Sequence, residues 1–157
     1  MTDTLPGTIS TVHGYDLPIG RDEVWEQISA VDNYRSWWPW LRRFDAEALA
    51  AGAEWRCEVQ PPLPYIVRFR VAIEKVDPPS LVHALILGDV VGDATLELEE
   101  AEEGCRAVLY SALAPGNSAL RLVSRFAAPL ARFGHDWVLD SGARQFITRA
   151  VEPLVGD

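Results

Sequence analysis

From Thr8 to Leu17 the chain alternates with a period of two: Ile9, Thr11, His13, Tyr15 and Leu17 share one face, and Ser10, Val12, Gly14 and Asp16 share the other. The pattern predicts an opening strand, which Pro18 and Gly20 end. Arg21-Asp22-Glu23 then starts a helix whose acidic first turn suits the helix dipole, with Val24, Trp25 and Ile28 at core spacing. A second, short helical turn begins at Asn33 and closes at Trp37-Trp38-Pro39-Trp40, because a residue before proline disfavours the helical region. Six segments bounded by Gly, Pro or charged turns follow, over 42–49, 54–60, 65–76, 81–87, 94–100 and 105–114. Their spacing is that of an antiparallel meander, so the expected sheet has about seven strands. The clearest alternation puts Val67, Phe69, Val71 and Ile73 on one side of a strand and Arg68, Arg70 and Glu74 on the other, one face toward oil and one toward water.

A one-sided sheet needs a cover, and the final helical run is the one element long enough to supply it. The stretch 130–151 alone would extend about 33 Å. Pro129 removes a backbone donor and clashes with the preceding turn, so a kink or break is expected there, with 118–128 as a separate arm. Inward strand residues should include Val67, Phe69, Val71, Leu96, Leu98, Leu109 and Leu113, because their neighbours in sequence are mostly polar. Tyr110 then faces away from the interior, while the phase of His83 is ambiguous.

Composition narrows the classes of function. The 157 residues, 48% of them hydrophobic, suffice for one core, and no linker or charge block divides them, so a single domain over 1–157 is expected. With 14 basic against 23 acidic residues and a net charge of −9, the chain would repel a phosphate backbone, which speaks against nucleic acid. No apolar stretch approaches the roughly 20 residues of a spanning helix, and the first ten residues lack a signal-peptide pattern. A soluble, cytoplasmic protein without stable membrane insertion is the expectation. Cys57 and Cys105 lie far apart with no His at ligand spacing, so free buried thiols and no metal are expected. The sequence contains no GxSxG, P-loop, dinucleotide glycine motif or metal cluster, and no cofactor is implied.

The order strand, two short helices, six strands, long helix resembles the helix-grip fold of the START/Bet v 1-like (SRPBCC) superfamily. The segments EVWEQISAVDNYRSWWPWL, PLPYIVRFRVAIEKVDPPS, GDVVGDATLELEEAEEGCRAVLYSALAP and FAAPLARFGHDWVLDSG resemble successive landmarks of its bacterial polyketide cyclase/dehydrase-like branch. The resemblance covers roughly 8–151 and implies an α+β fold: an antiparallel sheet wrapped around the C-terminal helix, with a cavity between them for lipids, sterols, quinones or polyketides. Leu96 stands where a tryptophan is common in the branch, and Gly134 where relatives often carry Asn.

Candidate chemistry centres on the interruption of the closing helix by polar residues. Leu130, Phe133, Trp137, Ile147 and Val151 fall on one ridge, with Asp140 and Arg144 in its middle and Asp136 one turn earlier. The acids could move a proton while Arg144 orients an oxyanion. Alternatively, a second ridge of Leu139, Ala143, Phe146 and Ala150 makes the main contact, and Asp140 and Arg144 form an i,i+4 pair at its border. His135 falls opposite the first ridge and so away from a cavity. His13 and Tyr15 share the inward phase of Leu17 and could bind a ligand oxygen or pass a proton. Ser111 is an isolated polar residue with the same inward phase as Leu109 and Leu113. Among the tryptophans, Trp25 and Trp37 suit the core, whereas Trp38, Trp40, Trp55 and Trp137 could border a cavity.

Three functions compete. The leading one is binding of a hydrophobic small molecule, with Trp38, Trp55, Val67, Phe69, Val71, Leu96, Leu98, Leu109, Ser111, Leu113, Phe133 and Trp137 as wall. The second is a cyclase/aromatase-like enzyme using His13, Tyr15, Asp136, Asp140 and Arg144. The third is a protein-interaction module whose exposed tryptophans engage a partner or a second copy in a homodimer.

Overall fold

The alternating segments form one antiparallel sheet in the computed structural model, which describes residues 8–126 and 128–155. The strands are β1 (Ile9–Leu17), β2 (Leu41–Asp45), β3 (Glu54–Val59), β4 (Val67–Asp77), β5 (Leu81–Gly88), β6 (Val90–Ala101) and β7 (Gly104–Pro115). Their spatial order is β1-β7-β6-β5-β4-β3-β2, so β1 and β2 are the edges and every other neighbour in the chain is a neighbour in space. Between β1 and β2 lie α1 (Arg21–Ser29), a single tight turn over Val31–Asn33, and α2 (Tyr34–Trp37).

Registry follows the hydrophobic pattern. Arg68 and Arg70 are exposed and pair with Glu58 and Glu54 across the outer face, while Val67, Phe69 and Val71 turn inward and Ile73 is buried. On β1, His13 and Tyr15 are half-buried beside fully buried Leu17, and Val12 is exposed. Leu96, Leu98, Leu109 and Leu113 face inward, and Tyr110 faces out. His83 pairs with Thr95 of β6, between Val82 and Ala84, which pair with the inward Leu96 and Ala94. Its ring sits on the outside, 2.7 Å from Thr95 Oγ1 and 3.2 Å from the Glu74 carboxylate.

The sheet curls around a long C-terminal helical element. This consists of α3 (Ser118–Phe126), α4 (Ala128–Phe146), a π-helical turn over Ile147–Val151, and α5 (Glu152–Val155). Pro129 occupies the first turn of α4, where a missing N–H costs nothing, and the expected separate arm corresponds to α3. Position 127 and the side chain of Leu130 lie outside what the structure describes.

The core is built at the end of the sheet nearest α1 and α2. Tyr34 sits among Trp37, Trp38, Phe44 and Trp55 with ring centres 4.9 to 5.8 Å away, and its hydroxyl donates to the Ile28 carbonyl. Phe146, Ala150 and Val151 close this core from the helix. The wide π turn lets successive residues Ala150 and Val151 both point inward, and Arg149 donates to the Trp37 carbonyl across the same junction.

Candidate functional site

The helix does not fill the space it covers. Along its inward stripe stand Gly134, Val138, Leu139, Gly142, Ala143 and Phe146, and the small members leave room between α4 and the sheet. Two adjoining chambers of about 280 Å³ each result, and they share Leu109, Val138 and Leu139 as common wall. The first chamber is bounded by Val67, Phe69, Ser111, Leu113, Tyr65 and Leu120, together with Gly134 and His135 from the helix. The second is bounded by Tyr15, Trp38, Trp40, Leu96, Leu98 and Phe146. Neither wall contains a lysine or an arginine. A larger depression of about 520 Å³ between the start of α1 and the β6–β7 turn is an open surface feature of mixed lining, in which Arg21, Glu23, Glu100 and Glu103 stand among Ile19, Leu154 and Val155.

The indoles of the second chamber are held by hydrogen bonds. Trp38 Nε1 donates to the Gly142 carbonyl at 2.9 Å, and Trp40 Nε1 donates to Gln145 Oε1 at 2.7 Å. Both bonds tie α4 to the loop after α2 and fix the aromatic faces. Gly134 and Gly142 matter for their lack of bulk. A Cβ on Gly134 would stand 3.0 Å from Leu63 Cδ1 and from Tyr65 Oη, and one on Gly142 would stand 3.5 Å from the Trp40 ring.

Several expected wall residues are elsewhere. Trp55 is buried in the Tyr34 aromatic cluster with its Nε1 donating to the Ala48 carbonyl, and Val71 packs against the same core. Phe133 is 50% exposed, and Trp137 is half-buried beside Trp40 and touches neither chamber. Phe133 and Trp137 of the first ridge are therefore turned from the chambers, while its Ile147 lines the second chamber and its Val151 is buried, and the alternative ridge of Leu139, Ala143, Phe146 and Ala150 faces the sheet. This rotation also corrects the polar residues. Asp140 and Arg144 are exposed rather than on a chamber floor, and Arg144 donates to Ser141 Oγ at 3.4 Å instead of pairing with Asp140.

His135, expected to point away, lines the first chamber. Its Nδ1 lies 3.4 Å from Asp136 Oδ1, and its Nε2 is buried without a hydrogen-bond partner among the described residues. Burial lowers its pKa below the ordinary histidine value, against the opposing pull of Asp136, and the charges of His13 and Arg132 add to the lowering. Tyr15 presents the complementary case: its hydroxyl is buried and unpartnered, and burial, with the nearby Asp140 carboxylate second, raises the phenol pKa. His13 stacks on Tyr15, with ring centres 6.3 Å apart and planes 7° from parallel. The edge strand β1 and the helix thus place Tyr15 and His135 in the walls of the two adjoining chambers, with His13 beside Tyr15, whereas His13, Asp136 and Asp140 line neither chamber. The sequence signal for His135 was its place in GHDW, and only the rotation of the helix decides where that histidine points.

Solved structures share this architecture. The di-domain ARO/CYC protein StfQ of the steffimycin biosynthetic pathway superposes with a TM-score of 0.75 over 95% of this chain at 11% identity, and this chain spans 53% of that one. The shared fold is a helix-grip, an antiparallel sheet curled around a long C-terminal helix. Norcoclaurine synthase from Thalictrum flavum, solved with dopamine and hydroxybenzaldehyde, matches the same helix-grip over 92% of this chain and 90% of its own, at a TM-score of 0.59 and 13% identity. A protein of unknown function from Staphylococcus aureus covers 92% of this chain and 97% of its own at a TM-score of 0.64 and 12% identity. No known family's sequence profile matches the chain, and no curated protein matches it in sequence. Among the described residues no helix is long and apolar enough to cross a membrane, and no three His, Cys, Asp or Glu side chains gather to hold a metal.

Proposed function

We propose that this protein binds a hydrophobic or amphipathic small molecule between the sheet and α4. The observation that carries the reading is the pair of adjoining apolar chambers, which offer a continuous wall of aliphatic and aromatic side chains broken by few polar atoms. Desolvation of an apolar surface would supply most of the affinity, and the tryptophans on the wall would report it. Titration with quinones, aromatic ketones and single-chain lipids should quench or shift the emission of Trp38 and Trp40 saturably. Replacing Leu109, which borders both chambers, with Trp should abolish that response without unfolding the protein. Absence of uptake of every class tested would remove the reading and favour a surface-interaction role.

A second reading, an acid–base enzyme acting on the bound molecule, draws on Tyr15 and His135. A neutral imidazole whose Nε2 is buried and unpartnered and a protonated phenol whose hydroxyl is likewise buried and unpartnered are suited to accept and donate a proton during enolisation or loss of water. That StfQ is an ARO/CYC protein makes cyclisation or aromatisation the first reaction class to test. Turnover by the wild type that falls at least about a hundredfold in both Tyr15→Phe and His135→Phe, with binding retained, is the expected result for catalysis. Binding without turnover on aromatic and polyketone substrates would leave the carrier or sensor.

A further inference from the structure

The two unpartnered polar atoms in the chamber walls have different hydrogen-bonding roles, and together they constrain what the occupant must carry. An ionised carboxylate only accepts, so the contact between Asp136 Oδ1 and His135 Nδ1 places the imidazole proton on Nδ1. In the neutral ring Nε2 is then a bare acceptor, and it is buried with nothing donating to it. Tyr15 Oη keeps its proton, because burial and the neighbouring Asp140 charge both oppose a phenolate. It is a buried donor with nothing accepting from it. His135 borders the first chamber and Tyr15 the second, so a molecule lying across Leu109, Val138 and Leu139 would reach both.

We propose that the occupant is an uncharged, elongated apolar molecule with a hydroxyl toward the first chamber and a carbonyl oxygen toward the second, the hydroxyl donating to His135 Nε2 and the carbonyl accepting from Tyr15 Oη. Each group of this ligand satisfies an atom that is otherwise buried without a partner, and leaving such an atom unmet is costly. The same walls reject anionic amphiphiles. They carry no lysine or arginine, while the Asp140 charge acts on Tyr15 and Asp136 contacts His135. A fatty acid carboxylate would be desolvated without a counter-charge.

This inference rests on the binding function proposed above, and a ligand series separates the two. The probes are para-hydroxychalcone, chalcone, para-hydroxystilbene, stilbene and para-carboxychalcone, which share one aromatic frame and differ in hydroxyl, carbonyl and charge; binding is read by tryptophan quenching. The wild type should bind para-hydroxychalcone roughly tenfold more tightly than either chalcone or para-hydroxystilbene, and should bind para-carboxychalcone more weakly than chalcone. His135→Phe should erase the preference for the hydroxyl, bringing the ratio of para-hydroxychalcone to chalcone affinity to about one. Tyr15→Phe should erase the preference for the carbonyl, bringing the ratio of para-hydroxychalcone to para-hydroxystilbene affinity to about one. Equal affinities across the series, preferences that survive both substitutions, or tightest binding of the carboxylate would overturn the inference and leave the binding function standing. Failure of every probe, stilbene included, would overturn both. Should either variant not fold, the wild-type series alone decides.

Discussion

Tyr15 and His135 illustrate how a single residue's surroundings set both its chemistry and its contribution to stability. The His135 pKa is lower in the folded protein than the ordinary value near 6.5, so as pH falls the unfolded chain takes up this proton first. The stability that the neutral buried ring allows is complete above about 6.5 and is lost progressively as pH drops through the window down to the folded pKa. His135→Phe removes that loss and keeps the ring size. Urea midpoints measured between about pH 7 and pH 5 should therefore move against the wild type relative to the variant as the solution is acidified. A difference that stays constant with pH would mean the ring is not held neutral by burial. The cysteines give an independent residue-level expectation. Both are free and buried; burial pushes the Cys57 thiol up to about 12, with the Asp45 charge adding to it, and raises Cys105 as well. Thiolate is the nucleophile, so the native protein should resist alkylation at neutral pH that consumes both thiols once it is unfolded. Rapid labelling of Cys57 in the folded protein would contradict its placement.

Among the elements, α4 carries most of the functional consequence, and it does so through its smallest residues. A helix that covers a sheet normally presents bulky side chains to it, whereas this one presents Gly134, Gly142 and Ala143, and the missing volume is the site. Gly142→Ala should gain up to about 1 kcal/mol of stability from helix propensity, because the added methyl meets the Trp40 ring at an ordinary 3.5 Å. Gly142→Leu should instead occupy the second chamber, with ligand affinity falling by at least about tenfold while the circular dichroism spectrum is retained. Unchanged affinity in Gly142→Leu would show that the ligand does not use this chamber. The strands were far easier to read than this helix. In β4 the charges of Arg68 and Arg70 and the apolar neighbours of each settle the face, and a one-residue slip would expose the whole set. At His83 the local pattern was ambiguous because β5 carries apolar residues on both faces, and its pairing with Thr95, which shares the outward phase of Tyr110, settles the face. On α4, by contrast, the pattern offered two ridges, and the structure turns Phe133 and Trp137 of the first from the chambers while the second, Leu139, Ala143, Phe146 and Ala150, faces the sheet.

For the whole molecule, a ligand that binds only the folded state must raise its stability by mass action, by about 2.7 kcal/mol at a hundred times its Kd. Calorimetry with the tightest chalcone should show a Tm increase of several degrees that grows with ligand concentration, on a single cooperative transition if the 157 residues unfold as one domain. A Tm independent of ligand would exclude specific binding to the native fold. The sequence by itself determined the strand faces of β1, β4, β6 and β7, the antiparallel order of the meander, the long closing helix, and the pairing of His13 with Tyr15 on one inward face. These are consequences of short-range periodicity and of turn residues, which act within a few positions of where they are written. The tertiary structure alone decided the rotation of α4 about its axis. That rotation depends on Trp38 and Trp40 hydrogen bonding to Gly142 and Gln145, on the π turn that buries Ala150 and Val151 together, and on the space left by glycines that register as weak signals in a hydrophobic pattern. A cavity is the absence of side chains between elements distant in sequence, so its walls, and the inward turn of His135, exist only once those elements are packed.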